Sequence, residues 1–265
     1  MKKYSAVMRH CFRIQIVYRA EVIVNTLEII SRMLFAWLLW SAIFSDRETV
    51  GGFSFQAMLF YYVLSSFLSS FDISGGVSGE ISSRIRDGTF SRYMVIPTNI
   101  QLHFLAQNIG TSAFYILFTF IVSSLCTLIF NIHLHFTVDI FTILCAIIMV
   151  LFGLVFMVLF HFFIGILTFK FQDIDFFIRI QGVILELITG SIVPLILLPS
   201  GIIRIMYFIP FIHVVYTPVM LFMGKISLQH GISGLIILFF WTAAFTVINQ
   251  KLFRRLRIKY DGAGV

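Results

Sequence analysis

Four residues of one apolar stretch, Glu21, Asn25, Glu28 and Arg32, recur at spacings of four, three and four, which on an α-helix stacks them along a single face. Ionised groups at the bilayer centre cost about 2.5 to 3.5 kcal/mol each and so do not face lipid. This face therefore meets protein or water. Glu28 precedes Arg32 by four residues, the favourable order for a helical ion pair. Two readings stand: the pair neutralises itself and serves packing, or the stripe lines a substrate path or an interface with a partner chain. Glu186 sits in Val183-Ile184-Leu185-Glu186-Leu187-Ile188 without a local counter-charge, and needs a partner from another helix or an aqueous cavity. Asp72 closes an apolar run, where an interfacial position accounts for it.

A second group falls in the polar segment from Gly75 to Pro97 and comprises Glu80, Ile81, Arg84, Ile85, Asp87, Gly88 and Tyr93. Ile81 and Ile85, with Ser82, lie on one side of a short helix that Gly88 is placed to stop through a left-handed cap. Pro97 ends the next short segment. From this pattern alone the element is either an interfacial helix or a docking helix for a partner. His133 and His135 flank Leu134 without a further ligand, too little for a metal site. Cys11, Cys126 and Cys145 are odd in number and lack metal spacing, so no disulfide framework is expected.

Several chemistries have no sequence support. There is no G-x-x-x-x-G-K-[ST] phosphate loop, the nearest fragment being Gly224-Lys225. There is also no His-Glu-x-x-His helix and no G-x-S-x-G elbow. The chain is expected to bind no cofactor directly.

These residues are carried by an unusually apolar chain: 265 residues, 59% hydrophobic and 12% charged, with mean hydropathy +0.99, against roughly 25% charged residues in soluble domains. A hydrocarbon core needs about 20 apolar residues per helical crossing. The long continuous runs lack the alternation of a membrane β-barrel, so the expected fold is an all-α polytopic membrane protein. The 32 Phe suit lipid-facing and helix-packing positions. Crossings are expected near 21–44, 53–73, 101–130 and 138–169, with a fifth over 177–198 and a last over 231–250. Residues 2–19 place Tyr4, Val7, Met8, Cys11, Ile14 and Tyr18 opposite Lys2, Lys3, Arg9 and Arg13, as in an interfacial amphipathic helix. Arg9, Arg13 and Arg19 interrupt any signal-peptide core, so the first crossing is expected to be retained.

The run 200–223 is broken by Pro210 and Pro218 and preceded by Pro199, and is expected to form a re-entrant or external helical pair. With six crossings both termini share one side. That side then holds every Lys and Arg except Arg47, Arg204, Lys225 and the intramembrane Arg32, as the positive-inside rule requires of the cytoplasm. The net charge of +7 thus serves orientation and membrane lipid headgroups, and no nucleic-acid partner is expected. The chain reads as a single domain, with an interfacial helix at 1–20, six membrane helices within 21–250 and a cytoplasmic tail at 251–265.

Taken in order, several fragments resemble the membrane subunits of ABC type-2 transporters, and within them bacterial permeases that form one of an unlike pair. They are Tyr18-Arg19-Ala20-Glu21, Leu39-Trp40-Ser41-Ala42-Ile43-Phe44, Tyr61-Tyr62-Val63-Leu64-Ser65, Glu80-Ile81, Asp87-Gly88-Thr89, Ile96-Pro97, Pro210-Phe211, Tyr216-Thr217-Pro218 and Tyr260-Asp261-Gly262-Ala263-Gly264. The resemblance implies six transmembrane helices, an N-terminal connecting helix, a cytoplasmic coupling helix and a re-entrant hairpin before the sixth helix. It implies a second, similar or identical permease and separate ABC ATPase subunits that use ATP and Mg. Residues 80–93 would contain the coupling helix, while Asn25, Glu28, Arg32 and Glu186 would lie near the path. An efflux role in the bacterial inner membrane follows from the same resemblance, with a hydrophobic or cationic drug-like molecule as the substrate it suggests and lipid, peptide or glycan export left open. The competing reading is a secondary transporter or channel that uses the intramembrane Glu and Arg residues without ATP.

Overall fold

The computed structural model describes residues 2–17, 19–70, 72–95, 99–132 and 138–259. Tyr18, the Glu21 side chain, Ile96-Pro97, His133, His135 and the 260–264 fragment lie outside the described residues. The elements run α1 (Lys2–Val17), α2 (Arg19–Ile43), α3 (Phe55–Ser70), α4 (Gly75–Arg86), α5 (Ser91–Val95), α6 (Ile100–Ile129) and α7 (Ile140–Ile166). They continue with α8 (Thr168–Phe171), α9 (Asp175–Ile188), α10 (Ser200–Met206), α11 (Tyr216–Phe222) and α12 (Leu228–Leu256), with 3-10 turns at Leu195–Leu197, Pro210–His213 and Arg257–Lys259. The protein is an all-α polytopic membrane protein. Five helical stretches are long and apolar enough to cross a membrane, beginning at Val22, Phe55, Ile100, Ile140 and Leu228.

The fifth crossing is not the single helix over 177–198 that the apolar run suggests. α9 has 14 residues, about 21 Å of helix against a hydrocarbon core of about 30 Å. It stops one residue before the break at Gly190, whose φ of +79° is in the left-handed region that side chains other than hydrogen avoid. The chain nevertheless traverses the bundle. At one end Arg86 of α4 reaches Asp175 at 2.9 Å; at the other Leu197 lies against Gly51, in the loop between α2 and α3. Those contacts fix opposite sides, and residues 175–198 connect them.

The segment after it turns back. Val214 packs against Gly153 in the middle of α7, while Gly224 comes up to Val138, just before α7 begins. The two arms, Ser200–Met206 and Pro210–Phe222, meet at 89°. The chain thus enters from the side of Gly51, reaches mid-depth and returns, which is the re-entrant hairpin expected from Pro199, Pro210 and Pro218. His213 stabilises its turn with ring nitrogens 3.0 Å from Thr217 Oγ1 and 2.9 Å from the Tyr207 carbonyl.

Two apolar clusters hold the bundle. The larger includes Met33, Trp40, Tyr61, Tyr115, Met149, Phe156 and Tyr216. The smaller lies at the end where α4 packs, and unites Ile81, Ile85 and Phe90 with Phe104, Phe162 and Ile166. α1 has the expected amphipathy, with Lys2, Lys3, Arg9 and Arg13 exposed and Tyr4, Val7, Met8, Cys11 and Ile14 half-buried. Its apolar side covers α6: Phe12 meets Phe114 edge-on at 5.8 Å, and the Tyr4 hydroxyl accepts from the Asn99 amide at 3.1 Å.

The contact depends on a glycine, because a Cβ at Gly110 would collide with the Met8 backbone. Gly110→Val should therefore detach α1, at a cost of about 1 to 3 kcal/mol for overpacking. Limited proteolysis should cut within residues 2–17 several times faster, and an unchanged cleavage rate would refute this packing.

Candidate functional site

Two places collect the polar residues. The first is a cavity of about 350 Å³ walled by α2, the inner end of α3, α7 and α9. α2 contributes Asn25, Glu28 and Arg32, whose i, i+3, i+7 spacing puts them on its inward-turned side, and α9 contributes Glu186. Arg32 Nη2 lies 2.8 Å from Glu28 Oε1 and 3.1 Å from Glu186 Oε1. The partner that Glu186 lacked in its own segment is thus Arg32, on another helix. One guanidinium serves two carboxylates, and the Asp72 carboxyl lines the same cavity, so acidic side chains outnumber basic ones on its walls. His161 faces it from α7, its Nδ1 3.2 Å from Gln181 Nε2. Glu28 keeps 55% of its side chain exposed, which leaves a carboxylate within reach of a ligand.

Arg32 also borders a second chamber of about 540 Å³ with walls of Phe35, Leu39, Trp40, Tyr62, Ile192 and Leu197. Polar and apolar compartments therefore adjoin at Arg32 and Ser191. Sequence spacing does not reveal this chamber, because part of its wall is the irregular chain after Gly190, from Ser191 to Leu197. Tyr61 and Tyr62 hold that chain in place, donating to the Gly190 and Ile192 carbonyls at 2.6 and 2.7 Å. Gly190 together with Pro194 was the available signal.

The second place is α4. It starts at Gly75, earlier than the isoleucine pattern implies, and ends where the pattern places its stop: Gly88 has φ +77°, with its amide donating to the Ile85 carbonyl at 3.4 Å. Ile81 and Ile85 are buried, and Ile81 lies on Gly165 of α7, where a Cβ would come within 2.8 Å of it. Glu80 anchors the opposite flank. Its Oε1 accepts from Arg84 Nε at 3.0 Å and Nη2 at 2.9 Å and from the Tyr93 hydroxyl at 3.4 Å. Its Oε2 accepts from Gln107 Nε2 of α6 at 2.8 Å. The Arg84 guanidinium also stands 5.3 Å over the Tyr93 ring. Burial, then the Glu80 charge, push the Tyr93 phenol above its usual range, so it stays a neutral donor. Burial and Glu80 likewise raise the Cys11 thiol. Ser83, Arg86 and Asp87 are exposed. Of the residues singled out in this segment, then, Ile81, Ile85, Glu80 and Tyr93 fasten the helix to the bundle, and Asp87 points away from it.

Among the described residues no three His, Cys, Asp or Glu side chains are grouped to hold a metal ion. The family model described as ABC-2 family transporter protein matches residues 30–264. No curated protein matches the chain.

Removing Arg32 would leave two carboxylates facing each other beside lipid. Arg32→Gln should lower stability more than Glu186→Gln, since Glu28 still neutralises Arg32 in the latter. Because both carboxylates are partly exposed, a double-mutant cycle should give a coupling of only about 1 kcal/mol. Equal losses in the two single variants, measured by thermal unfolding in detergent, would contradict the shared-arginine geometry.

Proposed function

The chain belongs to the ABC-2 family of transporter proteins, and from that premise we propose that this membrane permease is driven by separate ATPase subunits that dock on α4 and its connection to α5. The observation that carries the proposal is the two-sided character of α4. One side is bound into the bundle by Ile81, Ile85 and the Glu80 hydrogen bonds, and the other presents Ser83, Arg86 and Asp87. A transporter changes the exposure of its path only if ATP binding favours one arrangement of its rigid parts over another. A helix fixed to the bundle and open to a partner can transmit that preference. ATP and Mg would be held by the partner subunits, as the chain's lack of a phosphate loop requires.

The path is assigned to the cavity of Asn25, Glu28, Arg32 and Glu186, with the apolar chamber beside it. Excess carboxylate next to an apolar wall suits a hydrophobic cation, and efflux of such a molecule is the proposed direction. A second similar or identical permease would complete the path, since α2 exposes Ile23, Val24, Leu27, Ile30 and Leu34 beside the cavity. The distribution of Lys and Arg supports a bacterial plasma-membrane orientation with both termini in the cytoplasm. A secondary carrier would use the same charged groups but leaves the exposed face of the anchored α4 without a purpose.

The test is co-purification of the chain with its partners, repeated with Gly88→Pro and Glu80→Arg. Proline cannot take the φ of +77° at residue 88, and arginine at 80 would face Arg84. Wild-type protein should bring down an ATPase and a second permease. The variants should lose the ATPase, or lose transport-linked hydrolysis by about tenfold or more while still inserting. A lone protein that transports without ATP, indifferent to both changes, would overturn the proposal.

A further inference from the structure

A third cavity, of about 500 Å³, opens at the end of the bundle where α4 lies, between the starts of α1 and α6, the short α5 and the end of α12. Arg254 and Arg257 line it, and no Asp or Glu does. Neither arginine has a carboxylate partner among the described residues. Two buried amides also line it, each with an unpaired polar atom. Gln101 is 7% exposed, and its Nε2 has no partner among the described residues. Asn249 is fully buried; its Nδ2 donates to the Leu159 carbonyl at 2.8 Å, but its Oδ1 has no partner among the described residues.

Buried polar atoms are almost always paired, because leaving one unsatisfied sacrifices its hydration without return. One donor and one acceptor left open in the same cavity, behind two unpaired guanidinium groups, describe a ligand that is anionic and also carries a hydroxyl. The 30-residue α6 begins here, and the positive end of its dipole adds to the attraction for an anion. Met94, Ile100, Phe162 and Phe253 supply the apolar part of the wall. The cavity lies where the membrane helices end, at the depth of lipid headgroups.

We propose that this cavity binds the headgroup of an anionic phospholipid of the adjacent leaflet. Its phosphate would lie among Arg254, Arg257 and Gln101 Nε2, with a headgroup hydroxyl donating to Asn249 Oδ1. Tyr93 lines the same cavity and hydrogen-bonds to Glu80, so the bound lipid touches the group that fastens α4. The proposal requires only that the chain sits in a bilayer and does not depend on the assignment of α4 to an ATPase.

The shared chemistry is a phosphate group, which could come from lipid or from solution, and the experiment separates the two. The chain, purified in detergent, is titrated with phosphatidylglycerol, phosphatidylcholine or inorganic phosphate and examined by native mass spectrometry. Phosphatidylglycerol should be retained in preference to phosphatidylcholine, which has no headgroup hydroxyl. The double variant Arg254→Gln/Arg257→Gln should weaken retention at least about tenfold, as expected for loss of charge-assisted hydrogen bonds. Gln101→Leu should weaken it less, and Arg255→Gln, which does not line the cavity, should leave it unchanged. Both arginines are exposed, so their replacement spares the core, and an unchanged melting temperature verifies that. Undiminished retention in the double variant, equal binding of phosphatidylcholine, or displacement of the lipid by inorganic phosphate would each overturn the proposal. Any of these results alongside an intact ATPase complex would remove the lipid site alone.

Discussion

A hydrocarbon solvent offers no hydrogen bonds, so each charge and each interruption of a helix in this fold must find its partner inside the chain. The consequences are clearest where α9 ends. A helix stopped at mid-depth exposes carbonyl groups that water cannot reach. Here Tyr61 and Tyr62 donate to the Gly190 and Ile192 carbonyls, and the Tyr216 amide donates to Thr189 at 3.1 Å. Those three donors come from α3 and from the start of α11. They explain why two adjacent tyrosines lie buried in this core, and why the re-entrant hairpin is packed where it is. The same rule places Arg32 between Glu28 and Glu186, since a charge at that depth is tolerated when it is paired and faces a cavity.

With lipid as apolar as leucine, helices gain little from hydrophobic burial and associate through close packing, which favours small residues at their contacts. The glycines sit accordingly. Gly110 admits the Met8 backbone, Gly165 admits Ile81, Gly153 faces Val214 and Gly234 faces the His213 ring. Each joins a peripheral element, respectively α1, α4, the turn of the hairpin and again that turn, to one of the long helices α6, α7 and α12. The long helices form the frame, and α1, α4 and the hairpin turn are seated on it through a missing side chain.

This division explains what could be read from the sequence. Long apolar runs have one stable solution in a membrane, and α2, α6, α7 and α12 lie close to where hydropathy puts them. The stop of α4 at Gly88 was legible because a left-handed cap is a local property, and the hairpin because three prolines interrupt its run. The break in α9 was not, since Gly190 can sit within an apolar run without ending it, and what enforces the break is a pair of tyrosines 129 and 130 residues away. The polar stripe of α2 was visible as a stripe. Its closure by Glu186 spans 154 residues and lies beyond any local pattern, as does the apolar chamber built on the broken chain.

α9 is in contact with both candidate regions. Its first residue, Asp175, is held by Arg86 at the exposed end of α4 at 2.9 Å, and Glu186, three turns further along the same helix, is held by Arg32 at the cavity. Eleven residues of helix span about 16 Å, a rigid distance on which no loop intervenes. α4 also packs closely on α7 through Ile81 and Gly165, and α7 presents His161 to the same cavity. Two short connections therefore lead from α4 to the charged groups, one along α9 and one along α7, and they adjoin where Gln181 meets His161 at 3.2 Å. The break at Gly190 divides these contacts: before it α9 is joined to α4 through Asp175 and Arg86, and after it the chain is tied to α3 by Tyr61 and Tyr62. The charged cavity and the apolar chamber meet beside that break, where Arg32 and Ser191 line both.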